Sequence, residues 1–222
     1  MKVVVVKNYD ELSKLGAEII ANLIKEKPNC TLGLATGSSP VGTYQNLIKA
    51  YNNKEISFKD VHSYNLDEYC GIDRNHPQSY YYFMEKNLFS KVNINRERTF
   101  VPDGTIEDAG EASRKYDEII SATGGVDLQL LGLGHNGHIG FNEPDEVFAK
   151  GTHCVNLAKS TIEANARFFD SVEEVPTQAY TMGIQTIMNA KRILVLTENG
   201  IEEEGSHEEL IAKKGAYEAL YN

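Results

Sequence analysis

The chain has 222 residues, of which 41% are hydrophobic and 24% charged, the composition of an ordinary folded protein. One domain of this length buries about 70% of the surface of its unfolded chain, and the composition excludes disorder, collagen-like repeats and coiled coil. Lys and Arg number 22 against 32 Asp and Glu, a net charge of −10. This excludes non-specific nucleic-acid binding, which needs a basic surface to release counterions. An anionic small molecule remains an acceptable substrate if local cations or backbone N–H groups hold it.

Cys30, Cys70 and Cys154 are far apart and odd in number. They form neither a disulfide framework nor a C-x-x-C zinc pattern, which points to a reducing compartment. The apolar run Val3–Val6 is too short for a signal peptide or a membrane span, and no run of 18 apolar residues occurs. The expectation is a cytoplasmic protein with neither membrane nor nucleic acid as partner.

In chain order, Val3–Val6 is β-branched throughout and predicts a buried strand. Asn8 with Glu11 forms a cap-like start for a helix that carries Leu12, Leu15, Ile19 and Leu23 and stops at Pro28. Thr31–Ala35 predicts a strand, Val41–Tyr51 a helix, Val61–Leu66 a strand and Ser79–Leu88 a helix. Thr99–Val101 is a short strand, Ile106–Ser121 a helix and Leu128–Leu131 a buried strand. Ala179–Asn189 holds a strand or a helix, and Arg192–Leu196 is a strand. This alternation predicts an α/β fold: a doubly wound, mainly parallel, Rossmann-like sheet in one domain over 1–197, followed by an atypical helical tail over 198–222. Ligands of such sheets sit beyond the carboxyl ends of the strands, so the polar clusters that follow strands are the ones to weigh.

Three such clusters stand out. Thr36, Gly37, Ser38 and Ser39 lie between a strand and a helix, where a helix N-terminus and pliable backbone suit a phosphate; a plain serine-capped turn is the alternative. Asp67 and Glu68 follow another strand. Either carboxylate suits a general base; taken alone, the pair reads first as a cap for the next helix or a solvated turn. The third cluster, 134–144, packs glycines around His135, Asn136, His138, Asn142 and Glu143. His138 with Glu143 nearby reads as an acid–base residue and its orienter. A metal held by His135, His138 and Glu143 is the alternative, weakened because the glycines disfavour a helix that would space the ligands. Arg167 is either a surface ion pair or a bidentate phosphate ligand. His62, His76, His153 and His207 stand alone and read as structural or exposed.

The blocks Leu66-Asp67-Glu68-Tyr69, His76-Pro77-Gln78-Ser79-Tyr80, Gly134 to Pro144 and Ala166-Arg167-Phe168-Phe169 resemble the glucosamine-6-phosphate deaminase family, in family order, from residue 1 to about Leu196. The resemblance implies conversion of glucosamine 6-phosphate to fructose 6-phosphate and ammonium in amino-sugar catabolism, without metal or cofactor. It implies His138 as the ring-opening base, assisted by Glu143 and Asn136. Asp67 becomes the base that moves a proton between carbons 2 and 1. Thr36–Ser39, Glu68 and Arg167 become substrate-binding residues. A sugar-phosphate binder without catalysis, or a 6-phosphogluconolactonase-like hydrolase, are the alternatives on the same fold, and the chain is expected as a monomer or a homo-oligomer.

The tail departs from this pattern. Where the family offers a phosphate-binding lysine after the last parallel strand, this chain has Glu198, and no lysine occurs until Lys213. From Gly200 to Asn222 the tail is similar to the C-terminal end of an ABC-transporter ATPase, although the nucleotide-binding motifs are absent. Ser206 with Glu209 reads as a capping box, so one or two short helices docked on the sheet are expected.

Overall fold

A computed structural model describes residues 4–133, 137–143, 147–166, 169–197, 200–205 and 207–212. In chain order the elements are β1 (Val4–Val5), α1 (Tyr9–Glu26), β2 (Thr31–Leu34), α2 (Val41–Asn52), β3 (His62–Asn65), β4 (Asp67–Tyr69), α3 (Tyr80–Asn87), β5 (Thr99–Phe100) and α4 (Ala109–Ala122). They continue with β6 (Leu128–Gly132), β7 (His153–Asn156), α5 (Lys159–Asn165), β8 (Gln178–Thr181), α6 (Ile184–Met188), β9 (Ile193–Thr197), β10 (Gly200–Gly205) and α7 (His207–Ala212).

The central sheet has the order β1-β10-β9-β6-β2-β3-β5. The run β9-β6-β2-β3-β5 is parallel throughout. One face packs Leu32, Leu34, Leu128, Leu130, Leu194 and Leu196 against α1 and α2. The other packs Tyr64, Leu131, Ile193 and Val195 against Tyr116 and Ile120 of α4. Helices on both faces explain why these strands read as continuous apolar runs, and they make the fold doubly wound as expected.

Local signals place the helices. The Asn8 side chain accepts the Glu11 N–H at 3.0 Å, so α1 starts at the cap read from the sequence. Its fully buried stripe is Leu12, Gly16, Ile20 and Ile24; Leu15, Ile19 and Leu23 flank it, only partly covered. Helix α4 begins at Ala109 rather than Ile106, because Asp108 caps it by accepting the Glu111 N–H at 2.7 Å. The segment expected as strand or helix over 179–189 holds both, β8 and then α6.

Two features were not expected. Strands β4, β8 and β7 form a second, fully antiparallel sheet. The tail begins with a strand rather than a helix: β10 pairs antiparallel with β9 on one side and β1 on the other. The paired edges on both sides override the poor strand propensity of three consecutive glutamates. The tail helix follows only from His207, and its Ile211 packs against the core. Ser206, the expected cap, lies outside the described residues.

Candidate active site

The parallel strands deliver three segments to one edge. Strand β2 runs into Thr36–Ser39, β3 into Asp67 through Leu66, and β6 toward 137–143. After β2, Gly37 adopts φ +89°, in the left-handed region that favours glycine. The chain then enters α2, whose N-cap, Pro40, offers no side-chain acceptor and whose first turn holds no acidic residue. The hydroxyl of Tyr9 braces the turn, donating to Ser38 O at 2.9 Å and accepting from Gly42 N at 2.8 Å. The result is the positive end of a helix beside the half-exposed Thr36 and Ser39 and the exposed Gly37 and Ser38.

Asp67 opens β4 opposite Thr181 of β8 and is only 6% exposed. Among the described residues no donor engages its carboxylate. Burial, and then the neighbouring Glu68 charge, push its pKa up to about 8. Glu68 points to the other side of the strand, as alternation requires. Its carboxylate accepts the N–H groups of Tyr80 at 2.9 Å, Tyr81 at 3.1 Å and Tyr69 at 2.9 Å. Burial raises Glu68 to about 7, against the pull of these three N–H groups. Glu68 is thus built into the N-terminus of α3, the helix-cap reading of this cluster, with both oxygens already used rather than presented to a substrate.

The segment 137–143 lies against this second sheet. Phe141 N–H donates to Thr181 Oγ1 at 3.1 Å. The buried Asn142 side chain donates to Ile139 O at 3.1 Å and to Met182 O at 2.9 Å. Gly140, at φ +60°, sits so close that an added Cβ would meet Thr181 Oγ1 at 2.8 Å and Asp67 Oδ2 at 3.2 Å. The backbone two residues from His138 therefore lies beside the Asp67 carboxylate, with no room for a side chain between them. His138 Nδ1 lies 3.7 Å from Glu143 Oε1, with both side chains about one-third exposed. Asp67, His138 and Glu143 thus belong to one neighbourhood at the carboxyl edge of the sheet. Asn136, His135 and Arg167 lie outside the described residues.

Thr181 and Asn142 shape this neighbourhood and were not singled out for it from sequence. Asn142 was visible inside the glycine-rich cluster; Thr181, an isolated threonine, carries no local signal. His76 is structural, as expected: its ring accepts the Gln78 N–H at 3.1 Å and stacks on Phe169. Among the described residues, no group of three His, Cys, Asp or Glu is placed to hold a metal, and no helix is long and apolar enough to cross a membrane.

A doubly wound sheet that gathers titratable side chains and a helix N-terminus at its carboxyl edge describes a class of small-molecule enzyme. The sequence matches the family of glucosamine-6-phosphate isomerases and 6-phosphogluconolactonase over residues 7–204, and the chain belongs to it. It is 55% identical over 196 residues to the glucosamine-6-phosphate deaminase of Thermoanaerobacter sp. (strain X514), covering 88% of this chain and 78% of that one. Among solved structures, a monomeric glucosamine-6-phosphate deaminase superposes with a TM-score of 0.85 at 46% identity, covering 88% of this chain and 81% of the other. The 6-phosphogluconolactonase of Thermotoga maritima superposes with a TM-score of 0.64 at 19% identity, covering 87% and 81%, a likeness of fold. The family match runs past the last parallel strand to residue 204, so the start of the tail falls inside it. The likeness of the tail to an ABC-transporter ATPase gains no support from these comparisons.

Proposed function

We propose that the chain converts glucosamine 6-phosphate to fructose 6-phosphate and ammonium. The observation that carries this reading is the closeness of Gly140 to Asp67, which sets a buried carboxylate beside the segment bearing His138 and Glu143. His138 takes the proton of the anomeric hydroxyl and returns it to the ring oxygen, opening the pyranose, with Glu143 steadying the imidazolium that forms. Asp67 then removes the proton from carbon 2 and delivers one to carbon 1. The step uses the ionised form of Asp67; a carboxyl raised to about 8 by burial is a stronger base once ionised and can still return the proton to carbon 1. The resulting imine loses ammonium to water. Proton transfers between positioned groups suffice for each step.

The phosphate is read onto Thr36–Ser39 and the first turn of α2, with Arg167 as the cationic partner. Asn136 is read as a positioning amide for His138. Glu68 is read as a support that holds α3 and tunes Asp67. Glu198, where the family carries a lysine, weakens the phosphate grip and raises KM. The partner is a soluble sugar phosphate, and a cytoplasmic location accords with it. The direct test is to supply glucosamine 6-phosphate and measure ammonium and fructose 6-phosphate together. Folded protein that yields neither product refutes the reading.

A further inference from the structure

Strand alternation puts Cys70 and Cys154 on the face of the β4-β8-β7 sheet opposite to Asp67. Both are free and partly exposed, and their sulfurs are 3.8 Å apart. Cys70 N–H bonds Gln178 O on one flank of β8 at 3.0 Å, and Cys154 pairs with Tyr180 on the other flank. Backbones on the two flanks of one strand are about 9.6 Å apart, at about 4.8 Å per strand spacing. A disulfide needs Cα atoms within roughly 4.4–6.8 Å. The two thiols therefore meet over the middle strand but cannot join directly without moving it.

One bridging atom removes that obstacle. Two bonds of about 2.3 Å to a soft centre, at an angle of about 100–110°, span roughly 3.5–3.8 Å, close to the present separation of the sulfurs. The sulfurs line a cavity of 560 Å³ together with Asp73, Glu107, Ile106 and Tyr180, which leaves space for a substituent on that centre; the two carboxylates share the cavity but form no metal-holding group with the thiols. Among the described residues the pair has no third His, Cys, Asp or Glu ligand beside it. A structural zinc ion, which takes four protein ligands, is not served by two. A centre satisfied by two sulfurs is.

We propose that Cys70 and Cys154 are a dithiol site for one trivalent arsenic atom bearing a single organic group. With phenylarsine oxide, two As–S bonds form, the bonds from arsenic to oxygen break, and the two thiol protons leave with that oxygen as water. Arsenic stays trivalent, and no oxidant or reductant is required. Burial pushes the Cys70 thiol up to about 12, so it is protonated at neutral pH and slow toward alkylating agents that require thiolate. The arsenical gains instead from its second bond, which closes within the molecule.

The test is intact-mass spectrometry of the whole chain with equimolar phenylarsine oxide, read independently of activity. One adduct per chain is expected, reversed by 2,3-dimercaptopropanol but not by the same concentration of glutathione. C30S should keep the adduct, and C70S and C154S should each weaken it at least tenfold. If either serine variant fails to fold by circular dichroism, peptide mapping of the wild-type adduct replaces it, with protection of Cys70 and Cys154 expected. Absence of an adduct, its survival in a folded C70S, or protection of Cys30 in place of the pair would overturn the proposal. So would rapid closure of a Cys70–Cys154 disulfide by diamide in the folded chain.

Discussion

Asp67 and Asp127 are almost equally buried, 6% and 7% exposed, at opposite ends of the parallel strands. Asp127, just before β6, accepts from Lys27 Nζ at 2.8 Å, Lys191 Nζ at 2.7 Å and Thr31 N at 2.8 Å. Burial alone would raise its pKa, but the hydrogen bonds from Lys191 and Lys27 outweigh that and lower it. Asp67 has burial without such donors, and a second carboxylate beside it, so its pKa rises. One aspartate is satisfied by the fold; the other is held ready for something the fold does not supply. Depth alone separates structure from chemistry poorly, and the partners separate them well.

Substitution should set the two ends apart most sharply in activity. Asp67→Asn is expected to lower kcat by about 10²–10⁴-fold, the usual effect of losing a general base, with KM little changed. Asp127→Asn should leave kcat near wild type. Steady-state kinetics on both variants reads this, and equal losses would erase the distinction.

Stability against pH should move in opposite directions. The unfolded chain ionises Asp67 near 3.8 and the folded chain only near 8. Across that interval the folded state keeps a proton the unfolded state has released, so this residue subtracts stability as pH rises. At about 1.4 kcal/mol per pKa unit the effect reaches a few kcal/mol, and Asp67→Asn should be the more stable protein at pH 8. Asp127, lowered in the folded state, adds stability above its ordinary value of 3.8 and loses it as pH falls through its folded value. Asp127→Ala also strands the Thr31 N–H, a cost of about 1–3 kcal/mol at neutral pH. Urea midpoints from about pH 2 to pH 9, for wild type and the variants, measure both slopes.

Two smaller effects sharpen the comparison. Gly140→Ala places a side chain at φ +60° and against Thr181 and Asp67. A cost of roughly 1–2 kcal/mol is expected, with a drop in kcat because the segment must lift from Asp67. Glu68→Gln removes the charge that is the lesser cause of the Asp67 shift. The acidic limb of kcat/KM against pH should move to lower pH by less than the full shift, since burial remains.

The parallel strands were legible because a strand covered on both faces must be apolar along its whole length, as Thr31–Leu34 and Ile193–Thr197 nearly are. Strand β4 was not, since Asp67, Glu68 and Tyr69 carry no apolar pattern and are shaped by the pairing of β8. Strand β10, with Glu202, Glu203 and Glu204, reads as a solvated run and is recruited by two waiting edges. In the candidate site, His138 and Glu143 were visible because so many glycines and titratable groups have no packing explanation. Glu68 was visible too, but only its three N–H donors decide between ligand and cap. Thr181 lay beyond reach: its part depends on facing Asp67 across strands 114 positions apart in sequence.

Among the described residues, strand β1 joins the sheet only through β10, Val4 facing Ile201 and Val5 facing Gly200. During synthesis the first strand leaves the ribosome long before its neighbour exists. At about 5–20 residues per second it waits on the order of 10–40 s with its backbone groups unmatched. The nascent chain thus carries a short β-branched segment, open to association with other chains, until Gly200 and Ile201 arrive. The closing of the sheet at this edge is a late, non-local event, so refolding should be slowest there, whatever the speed at which the five parallel strands assemble.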